Sequence, residues 1–156
     1  MTVYLFALAL FIGVVAGLRA MTAPAAVSWA AHLGVLHLGE SWLAFLGSAY
    51  AAWIFTVLAL VELVTDQLPK TPSRKVPVQF VTRILSGALC GAAIGIAAGS
   101  WPIGLGLGAI GAVCGTLGGA EGRSRLARAL GRDRPAALVE DFVAIGAGAV
   151  ILALAA

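Results

Sequence analysis

The chain has 156 residues, 61% of them hydrophobic and only 11% charged, with a mean hydropathy of +1.01. A soluble domain carries about a quarter charged residues, so this composition excludes an ordinary water-soluble fold and points to a single integral membrane domain over residues 1–156. Ten Lys/Arg against seven Asp/Glu give a formal net charge of +3.

Apolar runs occupy residues 3–18, 42–61, 84–99, 102–120 and 136–156. Each is near or above the roughly 17–20 residues that a helix needs to cross about 30 Å of hydrocarbon. The expected fold is therefore all-α: a polytopic membrane bundle of about five transmembrane helices plus one short helix. The first run is read as a span and not as a signal peptide, because no Lys or Arg precedes it and it leads into a further weakly apolar stretch. Arg19 closes this span at its far end.

Residues 22–38 begin with Thr22-Ala23-Pro24, a good helix start with Thr as cap and Pro in the first turn. The stretch that follows is short for a span, so a re-entrant or interfacial helix is expected; the rival is a sixth span, which would put Arg19 in the cytoplasm and the N-terminus outside. Arg19 beside that helix start makes an anion or carboxylate contact at the outer side, or else bonds nearby carbonyls or lipid head groups.

The second run ends in Glu62 and Asp66, four apart and so on one helical face. An extended connector with Pro69, Pro72 and Pro77 follows, carrying Lys70, Arg74 and Lys75. In the third span Gly87, Gly91, Gly95 and Gly99 recur every four residues, and Gly104, Gly108, Gly111, Gly115 and Gly119 nearly do so in the fourth. Small residues on one face let two backbones approach closely, which predicts a tight antiparallel hairpin of spans three and four. With its turn placed near residue 102, Arg83 comes level with Glu121, and Cys90 with Cys114. Two cysteines suffice for neither a metal site nor a disulfide framework and are read as packing residues.

Arg123, Arg125, Arg128, Arg132 and Arg134 follow the fourth run, and Glu140 and Asp141 open the fifth. Because Lys and Arg flanking spans stay in the cytoplasm, both basic loops are placed inside a bacterial plasma membrane, with the N-terminus inside and the C-terminus outside. Trp29, Trp42 and Trp101 then fall near the outer interface. The basic segments suit anionic lipid head groups as partners better than nucleic acid.

Charged groups at membrane depth are expected to pair, face the bundle interior or line a wet cavity. The candidate site is Glu62, Asp66, Arg83, Glu121, Arg123 and Glu140 at the cytoplasmic side, with Arg19 as a separate contact; Arg83 is expected to meet Glu62 and Glu121. The segments Gly17-Leu18-Arg19-Ala20 and Glu121-Gly122-Arg123-Ser124 also suggest an inverted repeat, which requires spans one and four to run in opposite directions. His32, His37 and Glu40 match no standard metal spacing, and no cofactor motif or nucleophile with a base is present, so the sequence points away from an enzyme.

The combination of Gly17-Leu18-Arg19-Ala20 with Pro24, Val61-Glu62 with Asp66, Gly118-Gly119 before an Arg-rich stretch, and Val139-Glu140-Asp141 resembles a family of small bacterial membrane proteins classed only as a domain of unknown function. The resemblance covers nearly the whole chain; it implies a compact multi-pass fold and no particular activity. The functional expectation is an ion-linked transporter or channel for a small ion or anionic solute, acting as a homo-oligomer because five spans are few to enclose a path. The alternative is a non-catalytic scaffold that binds partner helices or anionic lipid.

Overall fold

The computed structural model describes residues 2–66, 76–131 and 133–155. The expected connector with Lys70, Arg74 and Lys75 lies outside them. Six α-helices follow one another: α1 (Thr2–Leu18), α2 (Thr22–His32), α3 (Ala49–Thr65), α4 (Pro77–Ala97), α5 (Trp101–Leu130) and α6 (Asp133–Ala155). A short 3-10 helix at Ala44–Gly47 precedes α3, and no strand occurs among the described residues. Two segments, Pro77–Ala97 and Trp101–Ala129, are long and apolar enough to cross a membrane; α1 and α3 are shorter apolar helices.

Glycine sets the packing of α1, α4 and α5. A β-carbon on Gly91 would run into the Gly104 carbonyl, and one on Gly87 would lie 2.7 Å from the Gly108 carbonyl oxygen. Helices α4 and α5 are therefore antiparallel with their backbones in contact. The glycines of α5 serve two neighbours, since Gly111 and Gly115 face Leu10 and Val14 of α1. Gly13 and Gly17 complete this three-helix seam, Gly13 against Gly108 and Gly17 against Ala112 to Thr116. Contact this close gains dispersion energy that larger side chains would prevent.

Three expectations are corrected by this geometry. The hairpin turns at Ala98–Ser100, where Gly99 takes a left-handed φ of 85°, and not near residue 102. Arg83 consequently lies nearer the level of Thr116 than of Glu121, and buried Cys90 is not opposite exposed Cys114. Second, α1 and α5 run parallel, Gly13 and Gly17 meeting successive turns of α5, so the inverted repeat of their terminal segments does not exist. Third, Arg123, Arg125 and Arg128 are not in a loop. Helix α5 continues through them to Leu130, in a segment rich in Ala, Leu and Arg, and stops at Gly131 with φ 65°.

The chain ends also differ from expectation. The Tyr4 hydroxyl donates to the Leu154 carbonyl at 3.1 Å, so the start of α1 and the end of α6 lie together and not at opposite ends. They share this end of the bundle with the α4–α5 turn and the T-shaped Trp42–Trp101 pair, whose ring centroids are 5.9 Å apart. The reason is α2, which turns back from α1 and runs beside α3: Trp29 meets Trp53 at 5.5 Å, and His32 Nδ1 lies 3.1 Å from the Gly47 carbonyl. Between α2 and α3, Leu36, Leu38, Leu43 and Leu46 are buried and plug this tryptophan end.

Candidate functional site

The α1–α2 break sits at the opposite, charged end. Residues Arg19 to Met21 interrupt the helical ladder, and the polar groups from Gly17 to Met21 are met by side chains of four other helices. Arg83 of α4 donates from Nη1 to the carbonyls of Gly17 (2.7 Å) and Leu18 (2.6 Å). Ser86 donates to the Ala20 carbonyl, and Thr116 of α5 to the Gly17 carbonyl at 3.2 Å. On the donor side, the N–H groups of Ala20 and Met21 both reach the Glu62 carboxylate of α3, each at 2.8 Å. An unsatisfied backbone group in apolar surroundings costs several kcal/mol, so this pairing is what permits a break here.

Arg19 is fully buried and bridges two carboxylates, Asp66 at the end of α3 and Asp141 on α6. Its expected position away from the acidic cluster is thus corrected: α2 returns from the charged end, so the end of α1 lies inside the cluster. The anion foreseen beside the α2 start is the protein's own Glu62. The Nη2 of Arg83 lies 3.6 Å from Glu62 and 4.0 Å from Asp66. Glu62, Asp66, Arg83 and Arg19 are therefore brought together.

Glu121 is not part of the group, correcting its expected contact with Arg83. It lies exposed on the α5 extension and pairs with Arg125 at 2.7 Å, one turn along the same helix. Arg123 sits on that same extension, half-buried, while Glu140 is buried on α6 next to Asp141. Sequence reasoning missed Asp141, Ser86 and Thr116 as site residues. For Asp141 a signal existed: Ala137, Asp141, Ala144 and Gly148 are buried at helical spacing, which marks the inward face of α6.

Helix α3 packs chiefly on α2 and leaves a cleft of about 250 Å³ towards α4. It is lined by the polar side chains of Glu62, Asp66, Arg83, Gln79 and Thr82 and by the apolar side chains of Leu58, Val61 and Val78. Among the described residues no group of His, Cys, Asp and Glu is arranged to hold a metal ion.

Taken together, the fold is a helical bundle with apolar outer faces closed around a buried ion-pair cluster at a helix break, the class expected of a small membrane protein. The chain belongs to a family described as a domain of unknown function (DUF4126), whose model matches residues 6–156. Nothing among curated proteins or solved structures matches it.

Proposed function

We propose that this is a multi-pass membrane protein that moves a small solute, linked to an ion, by way of the cleft between α3 and α4. The observation that carries the reading is that the cleft reaches Glu62, Asp66 and Arg83, so ionisable groups meet a space of about 250 Å³, enough for a small ion or head group. Membrane insertion is supported by the inside-out distribution of the side chains. Val57, Leu60 and Val64 of α3 and Phe142, Ile145 and Val150 of α6 are exposed, whereas Arg19, Arg83, Glu140 and Asp141 are buried. The charged end faces the cytoplasm in this reading, because the arginines of the α5 extension lie beyond it. Both helix ends at the tryptophan face are then outside. Exposed Arg125 and Arg128 suit anionic head groups on the inner leaflet.

The test is reconstitution in liposomes with a proton or cation flux readout, run for the parent and for Glu62→Gln and Asp66→Asn. Flux in the parent and at least a tenfold loss in either variant, with folding retained, supports the reading. A second reading, a non-catalytic scaffold, is favoured by the mutual pairing of Arg19 with Asp66 and Asp141. Absence of flux across a broad solute panel, with the variants altering stability alone, would replace the first reading with the second.

A further inference from the structure

The cleft is not an isolated polar hole. On the outer face of α3 lies a groove of about 280 Å³ lined by Val57, Leu60, Val61, Val64 and Thr65. Val61 and Thr65 also line the cleft, so the two spaces are continuous across the α3 surface. One end of this surface is ionic and the other wholly aliphatic. The cleft alone falls just below the roughly 300–1,000 Å³ typical of pockets that enclose a drug-sized ligand, so it fits a head group and not a whole amphiphile.

Charge selects the head group. Arg19 is held between Asp66 and Asp141, and Arg83 directs Nη1 to two backbone carbonyls and Nη2 towards Glu62 and Asp66. Among the described residues that line the cleft, one guanidinium group, that of Arg83, faces two carboxylates, Glu62 and Asp66. A monovalent cation neutralises the remaining negative charge, whereas an anion would double it in surroundings where uncompensated charge is costly. Carboxylate oxygens accept more than one hydrogen bond or ionic contact each, so those already bonded to Arg19 and to the Ala20 and Met21 amides retain capacity for a cation.

We propose that the occupant of the cleft is a cationic amphiphile, its ammonium or similar head at Glu62 and Asp66 and its short apolar tail along the Val57–Val64 groove. It enters sideways between α3 and α4, from the lipid. This rests on the reading of the cleft as a solute site and names the class of solute.

The experiment uses the full chain in nanodiscs and measures saturable binding of radiolabelled decyltrimethylammonium above that of empty nanodiscs. Competition is measured with unlabelled decyltrimethylammonium, decanoate and tetramethylammonium. The expected result is displacement by the unlabelled amphiphile, no displacement by decanoate, and displacement by tetramethylammonium only at tenfold or higher concentration. Asp66→Asn should weaken binding at least tenfold. Because that change also disturbs an ion pair, Val61→Trp is the second variant: it fills the exposed junction of cleft and groove without touching a charge, and should also weaken binding tenfold. Equal competition by decanoate or tetramethylammonium, or full binding by Val61→Trp, would overturn the proposal. If the amphiphile fails to bind while Glu62-dependent flux of an inorganic cation persists in liposomes, the solute class is wrong and the cleft reading stands. Failure of both removes both.

Discussion

Arg19 and Asp141 are 122 positions apart in the chain and meet as a buried ion pair between the end of α1 and the inward face of α6. With Asp66 on the other side of the guanidinium, this contact ties the first, third and sixth helices together at one level. Removing one partner leaves the others charged and desolvated, which commonly costs about 3–5 kcal/mol. Arg19→Ala should therefore lower the thermal unfolding temperature in detergent sharply. Replacing Asp141 by Asn in an Arg19→Met background should recover part of the loss. An Arg19→Ala protein that melts with the parent would show that the cluster does not hold the helices.

A second prediction separates glycines that carry packing from those that do not. Gly91 touches the α5 backbone, so a methyl group there forces the hairpin apart, and Gly91→Ala should destabilise by about 1–3 kcal/mol. Gly106, on the same hairpin, has open space where its β-carbon would be. Gly106→Ala should be neutral or stabilising by up to about 1 kcal/mol, through helix propensity alone. Denaturant unfolding of both variants decides the point, and equal effects would contradict the close approach of α4 and α5.

Much of this architecture is legible in the sequence, and the reasons for the remainder are specific. Pro24 in the first turn of α2, the small-residue faces of α4 and α5, and the gathering of Glu62, Asp66 and Arg83 follow from residue types and spacing; the expected cap does not, since Thr22 is the first helical residue and the cap position is Met21, with no side-chain cap bond. The hairpin register does not, because the apolar run continues through Gly99 and hides the turn; a shift of a few residues was enough to put Glu121 in place of Thr116. Arg19 was misplaced for a related reason. A charge at the end of an apolar run reads as an interface marker unless the next helix is known to return to where the first began. Helix α2 does so, as the rival sixth span would have it, and the contacts of Trp29 with Trp53 and of Ala20 and Met21 with Glu62 reveal it.

The placement of the bundle in the membrane is tested by labelling. In a Cys90→Ala, Cys114→Ala background, Val3→Cys at the exposed start of α1 should react with an impermeant reagent added to intact cells. Ser124→Cys, exposed on the α5 extension beyond the charged cluster, should react only after the membrane is opened. Labelling of Ser124→Cys from outside, or of both positions from one side, would refute the proposed orientation.

The final prediction concerns the helix break. The amides of Ala20 and Met21 both donate to the two oxygens of Glu62, so their protection from hydrogen exchange depends on a side chain 42 and 41 residues away. A hydrogen bond to a charged group contributes about 1.5–3 kcal/mol, equivalent to roughly tenfold or more in the opening equilibrium. Glu62→Ala should accelerate exchange in peptides covering residues 19–22 by at least that factor. Glu62→Gln keeps one oxygen and turns an NH2 group towards the second amide, so its effect should be intermediate or larger at one of the two positions. The α4–α5 hairpin, held by glycine contacts that do not involve Glu62, should keep the parent's protection and so serve as an internal control. Unchanged exchange at residues 19–22 in Glu62→Ala would mean that Glu62 does not hold the break closed, and the link between the cleft and the α1–α2 turn would be lost with it.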